Sequence, residues 1–526
     1  MSLIAAAGLL ARTLVILWIP TQPVSDFWSY YHRGLNLAEH GRYEATPGQA
    51  DASFPPLYPM LLAAAFFFFP GPKALIAAKA VNVFLGLASL LIGATLARRL
   101  WGDRAGIVAA CFFAFLPRYL LMPCLIASEN LFSPLILLLV LLALEGARTP
   151  KAWGLAAAGG LVLALAALTR TVAYYLGALW LLGALSAGKK IRTALAETLL
   201  VVTVQHAVML PWALRNEARL GRFTFLNTAG GPAMFLGNNP NATGRWYDAR
   251  ADLERASPGI TSRGVVAISD VSTALAWRWI RENPRRALSL YVKKFGIIFK
   301  ETAIVADFAI NGKSISPPLP PADALPGRHW LKDHSAKLAR LLSAAAWLLL
   351  VLGALGCVAL AARAWRTRSP GDLVPSLLFP AAALYVPATS ALIAVNGRYR
   401  WPVEDVLVPV ASLFAVMALS GRVRAVHPDA TARPAVSGKS RGLRQLEAVM
   451  FLFAGDPMAH QVFPARRSGP PPFGSSSSET WRGFRPEAAV GPPPRVWRWP
   501  ASRRRYGPLN CGSRRRPSVA ARICGD

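Results

Sequence analysis

The sequence predicts an all-α polytopic membrane protein, and three observations carry that prediction. The 526 residues are 54% hydrophobic and only 16% charged, and the charges fall mainly between long apolar runs, whereas a soluble chain would spread its apolar residues in amphipathic periods. The apolar residues come in blocks of roughly 17–23, the length a helix needs to cross the hydrocarbon of a bilayer. Lys and Arg gather in the short loops between those blocks, where they set topology.

The formal charge of +31 would on its own admit a nucleic-acid partner. Much of the basic excess lies in the C-terminal tail and the short loops, however. No zinc-finger, helix-turn-helix or RNA-binding motif accompanies it, so the reading has no nucleic-acid partner. Cys111 and Cys357 sit inside apolar runs, Cys124 ends one, and Cys511 and Cys524 lie in the tail. With no CxxC among them, neither a disulfide framework nor a zinc site is expected.

Leu3–Ile19 has no basic residue before it and no small-residue cleavage site after it, and it reads as a retained first span. It opens onto an outer loop, residues 20–56, that contains a short helix from Phe27 to His40. Leu57–Phe69 is apolar but short and bracketed by Pro55, Pro56, Pro59 and Pro70. At 1.5 Å per residue it reaches only about 20 Å, so it is expected to dip into the membrane or lie along its surface. Leu75–Leu96 is a full span that ends in Arg98 and Arg99, which marks the cytoplasmic side.

The same rule threads the rest. Gly106–Met122 returns outward, Leu131–Leu144 goes in to Arg148 and Lys151, and Trp153–Leu168 comes out to Arg170. Val172–Leu185 goes in to Lys189, Lys190 and Arg192, and Leu195–Leu214 comes out to a long polar loop, residues 215–340. Within that loop a helix is expected around Ser269–Glu282. An amphipathic run, Ala287–Ile304, with Lys293, Lys294 and Lys300, suits a helix on the lipid surface. Leu341–Ala362 goes in, Leu373–Val395 comes out, and Val403–Leu419 ends inside. The count is ten spans, or eleven with the short segment. Residues 1–424 form the membrane domain. Residues 425–526, rich in Pro, Arg and Ser, read as a disordered tail without assigned function.

This thread brings several ionisable groups to one surface: Asp26, Arg118, Glu129, Arg170, Arg215, Arg398 and Arg400. Carboxylates near hydrocarbon are costly and mark functional sites by default. Guanidiniums match paired phosphate oxygens, while a carboxylate can take a proton from an attacking hydroxyl or help hold a divalent metal. Simpler readings stand beside these. Asp26 and Glu129 could cap the helices they begin, and Arg118 could be an interfacial snorkeller.

At these residues the chain resembles the C-type glycosyltransferases, in the branch of protein O-mannosyltransferases and bacterial aminoarabinose transferases. The matching stretches are PVSDFWSYYHRGLNLAEHGRY with FPPLYPMLLA, ASENLFSPLILLLVLLAL, ALTRTVAYYL, PWALRNEARLGRFTFLNTAGGPAMFLGNNPNATG and GRYRWPVEDVLVPVASLFAV. Together they cover about residues 3–420 in order. The resemblance implies an inverting transferase in the plasma (inner) membrane. It would move a hexosyl or pentosyl group from a polyprenyl-phosphate donor to an acceptor, which could be protein, lipid or polysaccharide, on the extracytoplasmic face.

Asp26 matches the family's catalytic acid and Glu129 its second acid, which in some members joins in metal coordination. A divalent metal at Asp26 and Glu129 is therefore a candidate cofactor. Phe54 stands where the family has a lysine, and Asp26 is followed by Phe27 rather than a second acid. Arg170, Arg215, Arg398, Tyr399 and Arg400 are the candidate donor-phosphate contacts. The rival reading is a transporter or flippase of lipid-linked sugars, which should show internal repeats and broken helices near the midplane.

Overall fold

The computed structural model describes residues 1–309 and 333–419, apart from Pro20 and Pro47. The expected tail beyond residue 424 and the two cysteines within it lie outside the described residues, as do residues 310–332 of the long polar loop. Among the described residues there is no strand.

The chain opens with α1 (Ser2–Trp18), α2 (Asp26–His40) and α3 (Leu57–Phe68), followed by α4 (Ala74–Trp101), α5 (Asp103–Phe115) and α6 (Pro117–Leu121). Next come α7 (Glu129–Arg148), α8 (Trp153–Thr169), α9 (Ala178–Ser186) and α10 (Ile191–Leu220). A polar segment carries α11 (Gly230–Gly237), α12 (Arg250–Ala256), α13 (Val265–Glu282), α14 (Pro284–Lys300) and α15 (Ile304–Ala309). Three further helices are α16 (Ser335–Thr367), α17 (Pro370–Ser390) and α18 (Trp401–Leu419).

Six described helices are long and apolar enough to cross a membrane, beginning at Gly71, Glu129, Ile191, Ser335, Pro370 and Gly397. The expected span Gly106–Met122 is instead a pair, α5 and Pro117–Cys124, bent by 51°. Ser2–Trp18, Trp153–Thr169 and Thr171–Ser186 are apolar but shorter, as is α3. All ten expected spans are thus present as apolar helices, and three fall below the length at which crossing is assured.

α7 is apolar on every side and accordingly sits at the centre, packed by α4, α8, α9, α17 and α18. α16 shows the opposite pattern. It packs Leu349, Leu350 and Gly356 inward and leaves Trp347, Leu348, Val351 and Val358 exposed, a stripe suited to lipid. Gly356 lets it approach α18 closely, since a Cβ there would stand 2.5 Å from the Val410 carbonyl oxygen.

The bend between α5 and α6 has an identifiable cause. Pro117 has no N–H, so the Phe113 carbonyl loses its usual helical donor. Nη2 of Arg12 in α1 bonds that carbonyl instead, and Nη1 donates to Gly8 O at 3.0 Å. Arg12 is fully buried, and its place in an apolar helix follows from a polar vacancy one helix away.

α3 packs Tyr58, Leu62 and Phe66 inward against α2 and leaves Phe67, Phe68 and Phe69 exposed. In the polar segment, α13 and α14 cover the two expected helical runs. One expectation is corrected: Lys293 and Lys300 are exposed, but Lys294 is buried, its Nζ donating to Asn238 Oδ1 at 3.2 Å. That face of α14 is packed over the turn at Gly244, leaving no room for the amine to reach solvent.

Candidate functional site

Asp26 is the first residue of α2, and the cap position belongs to Ser25, whose side chain makes no cap hydrogen bond. Ser25 holds φ at 54°, a left-handed conformation unusual for a side chain of its size. Glu129 likewise begins α7 behind Ser128. Neither carboxylate caps its helix. Both turn toward a residue from the far end of the chain.

That residue is Arg398, in the short helical turn Gly397–Arg400 that leads into α18. Its Nη2 bonds Oδ2 of Asp26, 372 positions earlier in the chain, and its Nε lies 3.6 Å from Oε1 of Glu129. Arg170, at the end of α8, places Nη1 2.7 Å from the same Glu129 oxygen. It also donates to Ser128 Oγ at 3.2 Å, and Ser128 donates to the Tyr30 hydroxyl at 3.1 Å. The Tyr399 ring lies beside both guanidiniums, its centroid 5.8 Å from that of Arg170 and 5.9 Å from that of Arg398.

Exposure distinguishes the two acids. The Asp26 side chain is 32% accessible and that of Glu129 only 2%, so Asp26 is the carboxylate a ligand can reach first. Oε2 of Glu129 has no hydrogen-bond donor among the described residues. A buried carboxylate oxygen left in that state is a ready acceptor for an incoming hydroxyl or amine. Burial pushes the Tyr30 phenol up to about 12, the largest opposing influence being Arg170, so Tyr30 stays a neutral hydroxyl at ordinary pH.

Asp26, Glu129, Arg170, Arg398 and Tyr399 therefore converge, as expected of one site. Two expected phosphate contacts lie elsewhere. Arg215 donates to the backbone oxygens of Asp51 at 2.7 Å and Tyr43 at 3.0 Å and stacks on Trp212, pinning the loop after α2. Arg400 is buried, bonding Glu404 at 2.5 Å and the carbonyls of Ile298, Phe299 and Thr302. Arg118 does not snorkel. It pairs with Glu404 at 3.1 Å and Asp405 at 2.9 Å within the helix bundle.

In this structure Asp26 and Glu129 are neutralised by Arg398 and Arg170. A divalent metal at these two carboxylates would have to displace the guanidinium that joins them and tolerate the second one beside Glu129. No group of three His, Cys, Asp or Glu side chains comes together among the described residues.

Tyr30 and Ser128 beside the cluster, and Glu404 and Asp405 as the partners of Arg118 and Arg400 in the bundle, are the contacts that the sequence reading missed. Tyr30 had a usable signal, since it stands four residues after Asp26 and hence on the same helix face. Glu404 and Asp405 had one too, as an acid pair inside an apolar block.

No family model and no curated protein matches the chain. Among solved structures it is similar to the apo oligosaccharyltransferase of Archaeoglobus fulgidus, at 12% identity and a TM-score of 0.46, over 87% of this chain and 53% of that one. A complex of that protein with Zn and sulfate aligns at 13% identity and 0.45, over 79% and 49%. ArnT from Cupriavidus metallidurans bound to undecaprenyl phosphate aligns at 14% and 0.37, over 80% and 78%. The chain spans about half the length of the archaeal chains it matches.

Proposed function

We propose that the chain is a C-type membrane glycosyltransferase. It transfers a hexosyl or pentosyl group from a polyprenyl-phosphate donor to an acceptor on the extracytoplasmic face of the plasma membrane, with inversion. The observation that supports this most is the sharing of Arg398 between Asp26 and Glu129, with Arg170 on the second acid. It gathers a reachable base and two phosphate-matching cations from four separate stretches of chain.

Asp26 is the proposed base. An acceptor hydroxyl or amine attacks the anomeric carbon from the side opposite the phosphate and passes its proton to the Asp26 carboxylate. The bond from the anomeric carbon to the phosphate oxygen breaks, and its electron pair leaves on polyprenyl phosphate. Protonation of Asp26 removes the negative charge that Arg398 was balancing. The guanidinium is then free to stabilise the charge gathering on the leaving phosphate, with Arg170 beside it. Oε2 of Glu129 is the proposed acceptor for a hydroxyl of the bound sugar.

The test is incubation of membranes containing the chain with radiolabelled polyprenyl-phosphate sugars. The reading expects label in a lipid, protein or polysaccharide acceptor together with free polyprenyl phosphate. Movement of intact donor across the bilayer without its consumption would contradict it.

A further inference from the structure

The stretch Leu392–Arg400 joins α17 to α18, and the polar segment holds its backbone almost residue by residue. Asn238 donates to Leu392 O at 2.7 Å, Ala394 N to Ala233 O at 3.3 Å, and Val395 N to Gly244 O at 3.0 Å. Gly397 N donates to Oε2 of Glu301 at 2.8 Å, and the other oxygen of Glu301 is ion-paired with Arg245. A Cβ at Gly397 would come within 2.0 Å of the Glu301 backbone oxygen, so only glycine fits against it. Asn396 Oδ1 then accepts from Arg398 N at 3.1 Å, closing the turn. Arg400 grips three carbonyls of the same polar segment, while the Arg398 side chain turns the other way, to Asp26 and Glu129.

We propose that Glu301 is a positioning residue for Arg398, and that through it the polar segment sets the geometry of the charge cluster. The inference rests on reading that cluster as the place where a polyprenyl phosphate binds. Gly397 directly precedes Arg398, so the Glu301 carboxylate fixes the backbone from which the guanidinium projects. A planar fork that must meet two carboxylates and then a phosphate tolerates little displacement of its base. Whatever engages the polar segment near Arg245 can therefore be felt at Arg398 without touching it.

The test measures binding of undecaprenyl phosphate to the purified full-length chain in detergent for the wild type, Glu301→Ala, Arg398→Ala and the double variant. The polyprenyl tail keeps binding measurable without Arg398. Glu301→Ala is expected to weaken binding about tenfold when Arg398 is present, the order of one charge-assisted hydrogen bond. In the Arg398→Ala background the loss should be under about twofold, because a residue acting through Arg398 has nothing left to act on. Glu301→Gln, which keeps an acceptor for Gly397 N–H, should recover most of the affinity. Equal losses in both backgrounds, or no loss with Arg398 present, overturn the inference while leaving the site reading intact. A folded wild-type chain that binds no polyprenyl phosphate overturns both.

Discussion

Nε of Arg398 lies 3.6 Å from Oε1 of Glu129, and the same oxygen lies 2.7 Å from Nη1 of Arg170. One buried carboxylate oxygen thus holds two guanidiniums that lie 228 positions apart in the chain. Removing its charge leaves two cations close together in a low dielectric. Breaking a buried pair in this way costs about 3–5 kcal/mol. Glu129→Gln is therefore expected to lower the melting temperature of the solubilised protein as well as its transfer rate. A rate loss with unchanged melting would show that Glu129 acts only on substrate.

Arg170 and Arg215 both follow apolar runs, yet only Arg170 meets a carboxylate of the cluster. Arg170→Ala should reduce transfer by on the order of 10²-fold, the effect of losing one oriented charge-stabilising donor. Arg215→Ala should leave that step nearly intact and instead loosen the loop it pins through Asp51 and Tyr43. Limited proteolysis of residues 41–56 beside a transfer assay separates the two. Equal rate losses without new cleavage would contradict this assignment.

Arg12 supplies the donor that Pro117 withholds from the Phe113 carbonyl. Arg12→Leu should destabilise the protein by about 1–3 kcal/mol through an unsatisfied carbonyl in an apolar setting. Pro117→Ala restores a backbone N–H at that position and should recover part of the loss. Thermal unfolding of the two single variants and the double variant checks the pairing, and purely additive losses would refute it.

The broad architecture was legible because membrane length and loop charge impose themselves on sequence directly. Apolar runs such as Leu131–Leu144 and basic loops such as Arg98-Arg99 need no tertiary information to be read. Asp26, Glu129, Arg170 and Arg398 were legible as types at expected helix ends. Which arginine meets which carboxylate was not, since Arg215 and Arg400 carry the same signal and differ only in what folds against them. The break at Pro117 was written in the chain but its compensation was not, because Arg12 lies more than a hundred positions earlier. Lys294 illustrates the same limit, since periodicity alone placed it with Lys293 on a wet face.

Burial lowers the Lys294 amine from 10.5 to about 8. The native state then resists charging a group that the unfolded chain keeps protonated up to its ordinary value. Native stability is reduced below about pH 8, rises as pH climbs toward 10.5, and is free of the penalty above it. Lys294→Met should accordingly be more stable than the wild type at pH 7, by on the order of 2 kcal/mol, with the advantage shrinking toward pH 10. Unfolding midpoints of both proteins across that range provide the check, and an advantage independent of pH would count against it.

The central claim is that the Asp26 carboxylate, held by Arg398, takes the acceptor's proton. Asp26→Asn keeps the size of the side chain and an oxygen for the guanidinium, but it removes the base. The rate of sugar transfer from a polyprenyl-phosphate donor by purified, folded Asp26→Asn should fall by about 10²–10⁴-fold relative to the wild type. Transfer at the wild-type rate would contradict the account.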